Sequence, residues 1–292
     1  MYAIETKKLT KSYGDARGIS ELDLVVEKGD FFGFIGPNGA GKSTTIRTLL
    51  GFIEKNSGEA FVLGKDITKS RSEILSDVGY MPSDSAFYSG MKVSEILVLS
   101  AKLRGKDCTA EAKHLAERLE LDTSRRIDEL SFGNRKKVGI ILALQHKPSL
   151  YILDEPTSGL DPLMQREFYQ ILKERNDEGA TVFLSSHVLS EVGKYCRKAA
   201  VIRDGRILVS DSVEKLAHTG IKKVWLGGID KMPEDFGAVN MKLEGGALSF
   251  LYEGNAGELV RKLSSLSFSD VNITDPDLEE MFMHYYARGI NK

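Results

Sequence analysis

Apolar and polar positions along residues 1–35 predict three short strands, Tyr2–Leu9, Ile19–Val26 and Asp30–Ile35. The third runs into a glycine-rich loop, after which Lys42–Phe52 reads as a helix. Over 84–150 the spacing becomes helical: Ser94–Arg104 and Ala110–Leu119 repeat apolar side chains three and four positions apart. From Leu150 to Ser210 the pattern turns to strand, helix, strand, helix, strand. LYILD at 150–154 is short, apolar and bounded by turn residues, as a buried parallel strand should be. Asp161 and Pro162 supply a cap and a first-turn proline for the helix that follows, and Gly179 closes it. Val182–Ser185 reads as the next buried strand, and Asp204-Gly205 as a hairpin turn.

Past about residue 215 the character changes. Lys223–Leu226, Asn240–Leu243, Leu248–Tyr252 and Phe268–Ile273 read as strands, with Gly245-Gly246 as a turn. Ala256–Leu266 and Leu278–Ala287 read as helices. This appendix carries no motif with recognisable chemistry. There is no internal repeat.

Charge and composition narrow the function classes. Forty Lys and Arg against 42 Asp and Glu leave a net charge of −2, which gives no pull toward nucleic acid or anionic lipid. Cys108 and Cys196 have no CxxC partner, so two reduced thiols are expected rather than a disulfide. MYAIETKKLTKSYG has no apolar h-region, and no signal peptide is expected. No uncharged apolar run reaches the roughly 18 residues that span a bilayer, so any membrane crossing falls to another chain.

The chemistry sits in the first 215 residues. GPNGAGKST comprises Gly36, Pro37, Asn38, Gly39, Ala40, Gly41, Lys42, Ser43 and Thr44. It matches GxxxxGK[ST] between an apolar strand and a helix, the context in which backbone N–H groups and a helix N-terminus cradle phosphates. Lys42 would reach the β- and γ-phosphates, and the Ser43 hydroxyl would bind Mg²⁺. In LYILDEP, Asp154 ends a buried strand where a carboxylate can hold Mg²⁺, and Glu155 can orient or deprotonate a water. The plainer alternative for this acidic pair is a helix cap. Ser131 and the Gly133 N–H of LSFGN could grip a γ-phosphate at a helix start, or Ser131 could be an N-cap and no more. SGLDP at 158–162 follows the acidic pair closely. His187 follows TVFLSS at a strand end, open to a γ-phosphate contact or to a structural role.

In this order GPNGAGKST, LSFGN, LYILDEP, SGLDP and SSH resemble the ABC ATPases over residues 1 to about 215. The resemblance implies an α/β fold: a P-loop NTPase core of ABC ATPase type with a helical subdomain at about 84–150, spanning 1–215. A small C-terminal α+β domain follows over 216–292. It implies that Tyr13 stacks on adenine and that Gly36 to Thr44 bind the phosphates. Asp154 would be the Mg²⁺ carboxylate, Glu155 the catalytic base and His187 the γ-phosphate switch. Ser131, Gly133 and Asn134 would contact ATP held by a second ATPase subunit, with Asp161 at the dimer interface. Two departures stand out. Phe132 and Asn134 replace the usual Gly and Gln of the signature, and in VGYMPSD Ser83 stands where Gln is usual. Both departures, with the C-terminal PDLEEMFMHYYA, resemble exporters of the ABC-2 class for peptides, bacteriocins and drugs.

The expected function is an ATP-binding and ATP-hydrolysing subunit that powers a membrane transporter. ATP and Mg²⁺ are the expected cofactors. The expected partners are a second ATPase subunit, identical or not, and a separate transmembrane permease, with no nucleic acid. The expected place is the cytoplasmic face of the membrane, held peripherally. Import and a soluble ABC-type ATPase acting in assembly or regulation are the competing functions. The near-neutral charge and the single phosphate loop weigh against the soluble one.

Overall fold

The computed structural model describes residues 1–14, 16–217, 220–229, 238–276 and 280–281. The chain divides into two compact units, Met1–Asp211 and Ser212–Lys292.

In the first unit, β1 (Tyr2–Tyr13) and β2 (Ala16–Glu27) form a long antiparallel pair. After β3 (Phe31–Ile35) and α1 (Lys42–Leu49) come β4 (Ser57–Val62), which pairs with β1, and β5 (Lys65–Asp66), which closes that sheet in the order β2-β1-β4-β5. Then follow α2 (Arg71–Ser76) and β6 (Val78–Met81). The helical stretch is α3 (Val93–Leu103), α4 (Thr109–Arg118) and α5 (Phe132–Leu144). The chain continues through β7 (Leu150–Asp154), α6 (Pro162–Asp177), β8 (Thr181–Ser186), α7 (Leu189–Tyr195), β9 (Lys198–Arg203) and β10 (Arg206–Ser212).

The second sheet runs β10-β9-β3-β8-β7-β6. Strand β3 lies parallel to β8 and β9, and β7 parallel to β8 and β6. Every residue of β3, β7 and β8 is buried, which explains the apolar runs FFGFI, LYIL and VFL within them: helices cover both faces of such a sheet. Parallel strands deliver their C-terminal ends to one edge, where open α/β sheets bind ligands. Here that edge gathers the exits of β3, β6, β7 and β8. The expected turn at Asp204-Gly205 has both residues at positive φ, 48° and 77°, the geometry of a two-residue hairpin.

In the second unit, α8 (Val213–Ala217) precedes β11 (Ile221–Gly227), β12 (Ala238–Glu244), β13 (Ala247–Glu253), α9 (Ala256–Leu263) and β14 (Asp270–Thr274). The sheet order is β12-β13-β11-β14. Leu259 and Leu263, one turn apart on α9, pack with Val224, Leu226, Leu248 and Phe250. The expected helix Leu278–Ala287 lies outside the described residues apart from Glu280 and Met281.

Both cysteines are buried and unbridged. Among the described residues no helix is long and apolar enough to cross a membrane.

Candidate functional site

The loop between β3 and α1 needs its glycines. Gly41 sits at φ 110° as the N-cap of α1, and a Cβ there would stand 3.0 Å from Ile19 Cγ2. Pro37, Asn38, Gly39, Gly41, Lys42, Ser43 and Thr44 line a cleft of about 310 Å³ together with Gly18 and Glu155. Gly36 and Ala40 stand behind that lining. Gly36 gives its carbonyl to Lys42, and Ala40 is buried. Gly18, at the other wall, carried no signal in the sequence. A Cβ on it would overlap the Lys11 carbonyl, so the position fits glycine because β1 passes so close.

Lys42 is buried, and its Nζ donates to Gly36 O at 2.6 Å and Pro37 O at 3.2 Å. It also lies 3.2 Å from Glu155 Oε1. A phosphate entering the loop would compete for these three positions. Ser43 Oγ donates to Asp154 Oδ2 at 2.7 Å, and Ser185 Oγ donates to Asp154 Oδ1 at 2.9 Å. Asp154 is 1% exposed, so β8 and α1 fix both oxygens of a buried carboxylate.

Glu155 follows in the left-handed region at φ 48°, a costly conformation for a side chain with a Cβ. Its N–H donates to Ser185 O at 3.0 Å. Its second carboxylate oxygen faces His187 Nδ1 at 3.1 Å. Partial burial pushes the Glu155 carboxyl up, but the Lys42 ammonium and the His187 imidazole outweigh it and hold the group below its ordinary range. His187 itself is placed by a turn in which Ser186 Oγ accepts from Val188 N at 2.9 Å and donates to Glu191. Lys42, Ser43, Asp154, Glu155 and His187, spread over 146 positions, thus converge at one sheet edge.

A hard divalent cation would find matching donors here. Ser43 Oγ and Asp154 Oδ2 are both oxygens and already adjacent. Mg²⁺ takes one or two protein oxygens and completes its shell with phosphate and water, so a cluster of three or more acids or imidazoles, absent among the described residues, is not required.

The remaining expected residues stand elsewhere. Ser131 is the N-cap of α5, its Oγ accepting from Asn134 N at 3.3 Å. Neither Ser131, Gly133 nor Asn134 lines the phosphate cleft. Asp161 caps α6, its carboxylate accepting from Leu163 N and Met164 N. Tyr13 ends β1, 46% exposed, with Lys11 Nζ 5.2 Å from its ring centre, outside the cleft lining. Phe132 packs on Gly159: a Cβ there would stand 2.3 Å from the ring, and Gly159 has φ 81°. That contact joins LSFGN to SGLDP within one chain, and no local pattern around Phe132 announces it.

Two larger grooves lie in the helical stretch. One of about 900 Å³, between α3 and α4, has Leu97, Val98, Ala101, Ala112, Ala116 and Leu121 in its lining among polar and charged neighbours. The other, about 670 Å³, runs between Tyr80–Tyr88, α2 and α3, with Tyr88 and Leu103 strongly exposed beside it.

Comparison with known proteins adds four findings. A family model described as ABC transporter matches residues 19–158. The bacitracin transport ATP-binding protein BcrA of Bacillus licheniformis is 39% identical over 212 residues, covering 70% of this chain and 68% of that protein. The linearmycin resistance ATP-binding protein LnrL of Bacillus subtilis is 28% identical across 98% of this chain and 99% of its own length. Among solved structures, an ATP binding subunit of an ABC transporter superposes with TM-score 0.69 at 29% identity, covering 74% of this chain and 92% of that one.

Proposed function

This chain belongs to the ABC transporter ATP-binding family, whose cassettes bind and hydrolyse ATP, and from that premise we propose that it drives an exporter by ATP-dependent pairing of two ATPase subunits. The observation that carries the proposal is the convergence of Ser43 and Asp154, 2.7 Å apart, with Glu155 held between Lys42 and His187 at the same cleft.

The steps follow from those contacts. Phosphates of ATP take the loop N–H groups and draw Lys42 from the Gly36 and Pro37 carbonyls and from Glu155. Ser43 and Asp154 would hold Mg²⁺, which would screen the phosphate charge. Glu155, ionised at neutral pH and partly released from Lys42, accepts a proton from the attacking water. His187, beside that carboxylate, faces the γ-phosphate. Tyr13 stacks on the base.

Ser131 and Gly133 open α5 away from this chain's own phosphate lining, so their donors serve the ATP of a second subunit. Asp161 lies in that interface. Two ATPs then hold two subunits together until the γ-phosphates leave, which makes association depend on nucleotide state. The unit Met1–Asp211 is the ATPase domain and Ser212–Lys292 an accessory domain. A separate membrane permease docks a cytoplasmic helix in the groove beside Tyr88 and Leu103 and holds the chain at the cytoplasmic face. Likeness to the bacitracin and linearmycin proteins supports export rather than import.

Light scattering with Mg-ATP tests the pairing. Glu155→Gln should accumulate an ATP-bound dimer. Adding Ser131→Arg should abolish that dimer while nucleotide binding to the monomer persists. A normal dimer in the double variant would contradict the cross-subunit role of Ser131.

A further inference from the structure

A lysine pair in the second turn of a helix ordinarily faces water. Lys136 of α5 does not: it is 3% exposed. Its Nζ donates to Ser83 O at 2.5 Å and to Glu155 O at 3.3 Å, and lies 6.0 Å from the centre of the Phe132 ring. One ammonium therefore ties the loop after β6, the start of α5 and the exit of β7. Burial pushes its pKa down, opposed by the nearby charges of Asp84, Asp154 and Glu155. The approach of α5 to the loop is close along its length. A Cβ on Gly139, one turn further along α5, would stand 3.0 Å from Ser85 Oγ.

The contact with Glu155 matters because of that residue's backbone. Glu155 sits at φ 48°, and its N–H is fixed by Ser185 O. Its carbonyl is the other end of the strained turn, and Lys136 is the donor that holds it. A left-handed residue persists only where its surroundings over-determine it. The contact with Ser83 uses the main-chain oxygen, so the short side chain there costs nothing: the reach across to the catalytic edge comes from the four-carbon stem of Lys136.

We propose that Lys136 is a positioning residue for Glu155, fixing the carbonyl of its left-handed turn so that the carboxylate points into the phosphate cleft, and that it transmits movement of the 82–85 loop to that turn. The proposal rests on Glu155 acting as the base. When the loop shifts under a docked partner, the ammonium shifts with it, and the Glu155 peptide follows through a single hydrogen bond.

The test is Lys136→Met and Lys136→Arg in the full chain, each alone and with Glu155→Gln. Misplacing a catalytic group through a supporting contact typically costs 10–100-fold. Lys136→Met should lower kcat by roughly that factor while KM for ATP, nucleotide affinity and melting temperature change little. Lys136→Arg, which keeps donors for both carbonyls, should recover most of kcat. In the Glu155→Gln background Lys136→Met should have no further effect in single-turnover hydrolysis, because the group it positions is gone. An unchanged kcat in Lys136→Met overturns the proposal. So does a loss of equal size on top of Glu155→Gln, which would make the effect independent of that carboxylate. Should the methionine variant not fold, Lys136→Gln is read the same way. Wild-type turnover in Glu155→Gln alone would instead remove the base assignment, and that outcome is distinct from a failure of Lys136.

Discussion

At the scale of residues, the site is a set of hydrogen-bonding groups with few degrees of freedom left. Asp154 has both oxygens fixed by serine hydroxyls, and Glu155 has its N–H, carbonyl and both carboxylate oxygens engaged. Lys42, Ser43, Asp154 and Glu155 were legible in the sequence because each lies inside a short motif at the end of an apolar strand. Lys136 was not, because its partners lie 53 and 19 positions away and nothing local marks a lysine as buried. The structure also sharpens what Ser83 does. Its main-chain oxygen, not its hydroxyl, carries the contact. Ser83→Ala should therefore leave the basal ATPase rate nearly unchanged and leave the Mg²⁺ requirement where it is. Titration of rate against Mg²⁺ decides this, and a large rise in the requirement would make the hydroxyl a metal ligand after all.

At the scale of elements, burial on both faces made the apolar runs within β3, β7 and β8 readable. The helices α3, α4 and α6 were readable from spacing and caps. Strands β4, β5 and β6 were not, being two to six residues long in glycine- and charge-rich surroundings where pairing, not propensity, decides. The same elements create a pH sensitivity far from the chemistry. His146, just past α5, is buried with its Nε2 3.3 Å from Val78 O of β6. Burial, with the Arg104 charge behind it, pushes its pKa from the usual 6.5 down to about 4. The unfolded chain binds this proton at a higher pH than the folded one. The neutral imidazole thus contributes its full stability above about 6.5, and that stability is lost as pH falls from about 6.5 to about 4. The loss should be at most about 3 kcal/mol. Chemical denaturation at several pH values should show a flatter slope over this window for His146→Gln. An unchanged slope would mean that other groups set the acid sensitivity.

At the scale of the molecule, the ATPase unit carries the recognisable chemistry, and the second unit follows as a separate small sheet and helix whose purpose no motif announced. The match to LnrL runs through both units, so the pairing of the two is shared by at least one relative. No described helix is long and apolar enough to cross a membrane. Co-expression with a cognate permease should carry the chain into the membrane fraction and raise its ATPase rate. A chain that stays wholly outside that fraction would favour an assembly or regulatory ATPase. The central claim, that Glu155 activates water at the cleft built by Lys42, Ser43 and Asp154, is tested most directly by the hydrolysis rate of Glu155→Gln. Loss of a general base costs about 10²–10⁴-fold, so turnover should fall by that order while ATP still binds. Hydrolysis at the wild-type rate would contradict the account.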